Sequence, residues 1–268
     1  MTEGDRINTF FSSDIHEATD KFLQACNYSG AQYEIITHPL KGPAGDPIHT
    51  VVAWLGPRNA TRVALFIAGT HGVEGYAGSG IMIGALSNDS FAVLPEDTAV
   101  MMIHLINPWG CAWGHRHTEN NADLFRDAIY YKPELYCDDG EFDQTYRLAS
   151  TPLSWFGREK QRSDEALLKI IESQGLDELI RIARIGQHKY PDTQCYNGDG
   201  NSWSTRLYHS LCKKYLSHAK QVFCVDFHTG FGEYGEGICI PYYHQDEQGQ
   251  RKLQRLKDAF GEKAIFEA

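Results

Sequence analysis

The run Arg62-Val-Ala-Leu-Phe-Ile-Ala68, followed at once by Gly69-Thr-His-Gly72 and the small-residue stretch Gly75–Leu86, decides the fold class. A short apolar run without polar alternation is typical of a strand that is buried on both faces. The small residues after it predict a helix that packs closely on a sheet. A strand, a tight turn and a helix in this order form one unit of an α/β fold.

Strands and helices alternate on both sides of this unit. We predict further strands and helices, of which the strands are Tyr33–Thr37, Thr50–Leu55, Thr98–Ile106, Gln221–His228 and Gly237–Tyr243, and the helices Asp14–Asn27, Trp203–Leu216, Arg251–Phe260 and one or two within residues 158–186. The stretch Trp109–Arg126 has no clean periodicity and predicts an ordered loop. The expected architecture is one three-layer α/β domain over residues 1–268, with a mixed, mainly parallel central sheet flanked by helices.

The composition excludes several classes of protein. Of the 268 residues 42% are apolar, which is enough for a sizeable core and excludes a disordered or fibrous chain. The 25 basic and 35 acidic residues give a net charge of −10, which disfavours nucleic acid and anionic membranes as partners. The N-terminus lacks the pattern of a signal peptide, and the seven cysteines contain no Cys-x-x-Cys. We therefore expect a cytoplasmic protein, and the sequence leaves its oligomeric state open.

His71 and Glu74 form the first candidate site, directly after the buried strand Arg62–Ala68. Ligands of α/β proteins bind beyond the carboxyl ends of strands. An imidazole and a carboxylate at this spacing supply two of the three protein ligands of a His₂Glu zinc site. The alternative is a helix N-terminus, where Glu74 interacts with the helix dipole and His71 is simply polar.

The second candidate site lies at the end of the predicted strand Gln221–His228. Strand alternation puts Asp226 on the same face as His228, where its carboxylate is well placed to orient an imidazole ring. The alternative is a buried Asp226 that bonds to backbone, with His228 as a polar loop residue.

A third segment lies between these two, with Asn107-Pro-Trp-Gly110 followed by Asn121-Ala-Asp-Leu-Phe-Arg126. The ordered set of His-x-x-Glu, Asn-Pro-x-Gly with Asn-x-Asp-Leu-x-Arg, and a strand-ending His resembles the zinc carboxypeptidase superfamily of carboxypeptidase A. This superfamily also contains the aspartoacylase and succinylglutamate desuccinylase branch. The resemblance spans residues 62–230 and is strongest to an uncharacterised bacterial, metallopeptidase-like branch.

The resemblance implies a metal centre. His71, Glu74 and His228 correspond to the three metal ligands of the family, and we expect one divalent ion, with Zn²⁺ first among the candidates. Asp226 would support His228 from behind. A bound ion of this kind activates water for attack on an amide carbonyl.

The resemblance also implies roles for residues of the third segment. Arg116 resembles the catalytic arginine that polarises the scissile carbonyl, and Arg126 the one that binds a substrate carboxylate, with Asn121 expected beside it. Phe125 departs from the family pattern, in which an amide stands there, and Asp127 adds a like charge nearby. The alternative for both arginines is a solvated loop or a structural ion pair.

The general base of the family is not found in the sequence. In the family it is a glutamate on a later strand, well after the third ligand. Glu267 lies at the end of the chain, and Glu233 and Glu236 lie in a glycine-rich loop, where the family does not keep its base. We assign none of them. Either the chain is truncated at its C-terminus relative to the family, or another carboxylate substitutes.

The resulting hypothesis is a zinc-dependent metallopeptidase that hydrolyses an amide bond next to a carboxylate in a small molecule or peptide. An N-acyl amino acid amidohydrolase of the aspartoacylase kind and a catalytically degenerate metal-binding relative are the alternatives. A third possibility, an interaction protein that uses the helices of residues 158–186, predicts no metal.

Overall fold

The computed structural model describes residues 3–129, 144–150, 156–233, 235–243 and 245–266. The chain divides into two units, Met1–His228 and Thr229–Ala268. The expectation that residues 1–268 form one domain stays a prediction, and each unit is described by itself below.

The first unit carries the sheet and most of the described helices. Its strands are β1 (Gln32–Lys41), β2 (Pro47–Leu55), β3 (Arg62–Ala68), β4 (Thr98–His104) and β5 (Gln221–Phe227). Its helices are α1 (Glu3–Asn8), α2 (Ile15–Ser29), α3 (Gly75–Ser87), α4 (Pro108–Trp113), α5 (Leu124–Ile129), α6 (Gln144–Ser150), α7 (Gly157–Gln174), α8 (Leu176–Ile185) and α9 (Trp203–Leu216), with a 3₁₀ turn at Gly72–Glu74. The second unit contains α10 (Glu247–Phe260), a 3₁₀ turn at Glu262–Ala264 and an isolated bridge between Cys239 and Ile265.

The strands of the first unit form a five-stranded sheet in the order β1-β2-β4-β3-β5. β2 pairs antiparallel with β1 and β4, whereas β3 pairs parallel with β4 and β5. The α/β class with a mixed sheet flanked by helices is confirmed. Its described pairings are divided evenly between parallel and antiparallel, where a mainly parallel sheet was expected.

Hydrophobic clusters cover both faces of this sheet. On one face, Ala53 of β2 and Met102 of β4 pack with Phe22 of α2 and with α3. On the other face, their strand neighbours Trp54 and Met101 pack with α5 and α9. Successive strand residues point to opposite faces, so each strand contributes to both clusters. Burial of one large apolar side chain contributes about 1.5–3 kcal/mol, and the sheet is therefore held from both sides.

Two predicted elements need correction. The expected loop Trp109–Arg126 contains α4 and the start of α5; Asn107 caps α4 by accepting a hydrogen bond from the Gly110 amide at 2.9 Å. Helices of six residues are too short to show a period. The predicted strand Gly237–Tyr243 is not a strand, because its residue Cys239 makes only an isolated bridge to Ile265.

The prediction of one or two helices in residues 158–186 is confirmed, with α7 and α8 separated at Gly175. This glycine has a φ of +90°, in the region that favours glycine.

In the part of the chain that the structure describes, no helix has both the length and the apolar character that a membrane crossing requires.

Candidate metal centre

The candidate ligands meet because β3 and β5 are parallel neighbours. Ala68, at the end of β3, is aligned with Phe227, at the end of β5. The carboxyl ends of both strands therefore lie at the same edge of the sheet. His71 follows β3 by three residues, and His228 directly follows β5. Two segments that are far apart in the sequence are thus placed side by side.

The turn that carries His71 and Glu74 is closely packed against the backbone around α4. The amide of Gly72 donates a hydrogen bond to the carbonyl of Arg116 at 3.2 Å. A Cβ atom on Gly72 would lie 2.1 Å from the carbonyl carbon of Gly110 and 2.4 Å from the carbonyl oxygen of His115. No side chain fits there without a shift of backbone, so the turn requires glycine at this position.

His71, Glu74 and His228 each offer one ligand atom, and these atoms lie within 4.8 Å of one another. Within the described ranges, they are the one group of three His, Cys, Asp or Glu side chains with this geometry. Nδ1 of His228 lies 3.4 Å from Oε2 of Glu74, and the two imidazole rings have centroids 5.0 Å apart. The prediction that these three residues come together therefore agrees with the geometry.

The donor set fits a zinc ion. Two imidazole nitrogens and a carboxylate oxygen are the protein ligands of a His₂Glu catalytic site. Nδ1 of His71 is buried and has no hydrogen-bond partner among the described residues. A buried polar atom left without a partner costs about 1–3 kcal/mol, and a bound ion would remove that penalty.

Asp226 contacts His228 in the structure, and its role as the support of a metal ligand stays a prediction. Its Oδ2 lies 2.9 Å from Nε2 of His228, and its Oδ1 accepts a hydrogen bond from Oγ1 of Thr70 at 2.9 Å. An Nε2 proton held by a carboxylate directs Nδ1 of the same ring towards Glu74, which is the usual arrangement behind a metal-binding histidine. No sequence pattern pointed to Thr70, whose hydroxyl holds this carboxylate.

The two histidines have opposite electrostatic surroundings. Burial lowers the pKa of His228, but hydrogen bonds to Asp226 and Glu74 outweigh it and raise the pKa to about 10. Burial lowers the pKa of His71 to about 4, and Arg116 and His228 contribute in the same direction against Asp123. In the metal-free chain at neutral pH, the His71 ring is therefore neutral, whereas the His228 ring is protonated on both nitrogens and positively charged.

Arg116 lies directly against two of the candidate ligands. Its Nη1 is 3.1 Å from Oε1 of Glu74, and its Nη2 is 2.8 Å from Nε2 of His71. The same Nη2 lies 3.5 Å from Oδ2 of Asp123. About half of the Arg116 side chain (49%) is exposed, so the guanidinium borders both the ligand group and solvent. Its expected role at a scissile carbonyl stays a prediction.

Asp123 connects the two arginines of the third segment. Its carboxylate is buried and lies 3.6 Å from Nη1 of Arg126 as well as 3.5 Å from Arg116. Burial raises the pKa of Asp123, but the charges of Arg126, His71 and Arg116 outweigh this and hold it below its usual range. The motif Asn-x-Asp-Leu-x-Arg contains Asp123, but the motif alone does not predict this role. Arg126 also donates to Oδ1 of Asn197 at 3.3 Å.

The side chain of Asn121 makes hydrogen bonds within the protein that connect two distant segments. Its Nδ2 donates to the carbonyl oxygens of Pro191 at 2.9 Å and Thr193 at 2.7 Å, and its Oδ1 lies 3.2 Å from Nδ1 of His117. The side chain therefore attaches the segment after α8 to the loop of the third segment. Its expected contact with substrate stays a prediction.

The two departures from the family pattern have different surroundings. The ring of Phe125 stands edge-on to the imidazole of His228, with centroids 5.7 Å apart. Asp127 is fully buried and accepts hydrogen bonds from the Ser202 hydroxyl at 2.8 Å and the Gly200 amide at 2.6 Å. The carboxylate of Asp127 is thus bonded at the start of α9. The expectation that Asp127 adds a like charge near a substrate carboxylate stays a prediction.

The general base stays unassigned within the described ranges. Glu267 lies outside the described residues, and Glu233 and Glu236 belong to the unit Thr229–Ala268.

Sequence comparison gives one family. The family model described as "Protein of unknown function (DUF2817)" matches residues 11–267. None of the curated proteins matches the chain significantly.

Several solved structures resemble the chain in fold. The chain is 10% identical to thrombin activatable fibrinolysis inhibitor, with a TM-score of 0.49 over 92% of this chain and 56% of that one. Carboxypeptidase A from Helicoverpa armigera is 10% identical to the chain, with a TM-score of 0.46 over 95% of this chain and 56% of that one. The glutaminyl cyclase of Fimbriiglobus ruber is 10% identical, with a TM-score of 0.28 over 37% of this chain and 41% of that one. The chain thus spans 41% to 56% of the length of these three proteins, and the scores are too low for their activities to bear on it.

Proposed function

The chain belongs to the DUF2817 family of proteins of unknown function, and we propose that it is a zinc-dependent hydrolase that cleaves an amide bond next to a carboxylate. The observation that supports the proposal is the convergence of His71, Glu74 and His228 at the carboxyl ends of two parallel strands. A buried Nδ1 atom without a partner on His71 makes this group a better fit to an ion than to an ordinary ion pair.

When bound by these three residues, zinc supplies Lewis-acid chemistry, which activates water and polarises a carbonyl. The chain's own residues supply the rest of the site. Asp226 holds the Nε2 proton of His228 and so fixes the orientation of that ring. Arg116 holds a permanent positive charge beside the ligand group, where negative charge on a carbonyl oxygen would develop.

The charge balance next to the ligands favours an anionic substrate. Arg116 and Arg126 carry two positive charges and share one buried carboxylate, Asp123. Together with a divalent ion they carry four positive charges, against the three carboxylates Asp123, Glu74 and Asp226, which leaves a net positive charge in an otherwise acidic protein. A small substrate with a carboxylate, such as a peptide C-terminus or an N-acyl amino acid, suits this surrounding. We favour the metallopeptidase reaction, with N-acyl amino acid hydrolysis as the alternative.

A catalytically degenerate metal-binding protein is the second candidate. It is favoured by one observation, namely that among the residues that the structure describes no carboxylate is assigned as general base. The two candidates differ in a simple assay. The metal-loaded enzyme should release amino acids from a panel of peptides and N-acyl amino acids, whereas the degenerate relative should bind zinc and leave the whole panel intact.

Metal analysis of protein purified without an affinity tag tests the proposal. We expect about one zinc ion per chain in the wild type and loss of that ion in His71→Ala, because a His₂Glu site with one ligand removed binds weakly. His218→Ala is the matched control, since His218 is an exposed histidine outside the ligand group. Wild-type protein without zinc, or His71→Ala with a full complement, would contradict the proposal.

A further inference from the structure

We propose that Arg116 takes the place of the ion's charge in the metal-free protein, so that its contacts with Glu74 and His71 and the binding of zinc exclude each other. The inference rests on the proposed function, because it concerns the same three ligands. It adds a coupling that a ligand set alone does not predict: the ion must displace an arginine in order to bind, and binding makes that arginine available.

The contacts of Arg116 use the electron pairs that an ion would need. Nη1 lies 3.1 Å from Oε1 of Glu74, and Nη2 donates to Nε2 of His71 at 2.8 Å. Glu74 is nearly buried, with 11% of its side chain exposed, and its other oxygen faces His228. In the metal-free chain the carboxylate thus has the Arg116 guanidinium against one oxygen and the His228 ring against the other, so both oxygens already have partners where an ion would bind.

The imidazole of His71 makes the exclusion independent of which nitrogen binds the ion. If zinc binds Nε2, the electron pair that accepts from Arg116 is taken. If zinc binds the buried Nδ1, the ring proton must reside on Nε2, and two N–H groups then face each other. In both cases the bond between His71 and Arg116 is lost, and repulsion between the guanidinium and a divalent cation acts in the same direction.

Asp123 gives the displaced guanidinium a place to remain. Its buried carboxylate lies 3.5 Å from Nη2 of Arg116 and is not one of the three ligands. Once Glu74 and His71 bind the ion, Asp123 is the acceptor that keeps Arg116 at the edge of the site, with donors free for a substrate oxygen. Because coupling is reciprocal, a substrate that engages Arg116 should also strengthen zinc binding.

Two arginine variants test the exclusion without an activity assay. Arg116→Gln and Arg126→Gln each remove one positive charge next to Asp123, but the described contacts of Arg126 are to Asp123 and Asn197, whereas Arg116 also contacts His71 and Glu74. We would measure zinc affinity by competition with a chromophoric chelator and the urea midpoint of the metal-free proteins. We expect Arg116→Gln to bind zinc about tenfold more tightly and to lower the metal-free midpoint, and Arg126→Gln to change affinity less than about threefold.

The outcomes separate this inference from the proposed function. A wild type that binds no zinc contradicts the proposed function, and this inference with it. A wild type that binds zinc, together with unchanged or weaker binding in Arg116→Gln or an equal gain in both variants, contradicts the exclusion alone.

A measurement on the wild type covers the case in which Arg116→Gln does not fold. A dicarbonyl reagent modifies arginine side chains that are accessible and weakly bonded, and peptide mapping reports the rate at Arg116. We expect faster modification of Arg116 when Zn²⁺ is added, with an unchanged rate at Arg162, an exposed arginine of α7. A slower or unchanged rate at Arg116 in zinc-binding protein overturns the exclusion.

Discussion

The two halves of the candidate metal centre are built differently. The turn after β3 is enclosed: His71 is 4% exposed, and Gly72 has no room for a Cβ atom. The end of β5 is open: β5 is an edge strand, and a third (33%) of the His228 side chain is exposed. Packing fixes the first half, whereas hydrogen bonds to Asp226 and Glu74 hold the second. A metal ion would therefore meet ligands on the closely packed turn after β3, and at the end of β5 a partly exposed ligand, His228, whose position depends on hydrogen bonds.

The largest effect should come from filling the space at Gly72. Gly72→Ala places a methyl group 2.1 Å from backbone of Gly110, which must move together with α4. We expect a loss of about 3 kcal/mol in the free energy of unfolding and no zinc binding, measured by urea denaturation and metal analysis. Gly237→Ala is the control, because a Cβ there meets nothing within 4 Å. Wild-type stability in Gly72→Ala would show that the first half is not enclosed.

A comparison of the two histidines should sharpen the contrast. His71→Ala leaves a cavity in a buried site and removes the bond from Arg116, so we expect a loss of about 2–3 kcal/mol in the metal-free protein. His228→Ala affects a partly exposed side chain, and we expect about 1 kcal/mol. Urea unfolding in the presence of a chelator measures both. Equal losses would remove the distinction between a packed and an open half.

The smallest effect on metal-free stability should come from the side chain that supports His228 in the open half. Asp226→Asn keeps the size of the side chain but weakens its hold on the Nε2 proton of His228. We expect zinc affinity to fall ten- to a hundredfold, equivalent to about 1.4–2.7 kcal/mol, with little change in metal-free stability. Thr70→Val removes only the second bond of the carboxylate and should lower affinity less. If both variants bind zinc as the wild type does, Asp226 does not orient His228.

The enclosed half was the easier part to predict from the sequence. β3 runs from Arg62 to Ala68, as its apolar run predicts, since a strand buried on both faces has no polar positions. α9 has the predicted bounds Trp203–Leu216, because Ser202 caps it by accepting from the Thr205 amide. The rule that ligands lie beyond the carboxyl ends of strands then directs attention to both His71 and His228.

Contacts between distant segments explain what the sequence did not predict. The side-chain amide of Asn121 donates hydrogen bonds to the backbone carbonyls of Pro191 and Thr193, about 70 residues later in the sequence. No local sequence pattern predicts these bonds. Asp123 stands in a motif that was noted, yet its position between Arg116 and Arg126 depends on how the loop folds back. Side-chain roles that arise from tertiary contacts are therefore the part that required a structure.

The alignment of β3 with β5 also has a consequence for when an ion could bind during folding. Glu74 and His228 are 154 positions apart in the sequence, and the pairing of β5 with β3 is what makes them neighbours. An ion that joins them closes a very long loop, whose entropic cost must already have been met by assembly of the sheet. Zinc would thus bind late in folding and would connect two strands that are already paired. Its main effect would fall on how slowly the two strands separate, rather than on how fast they find each other.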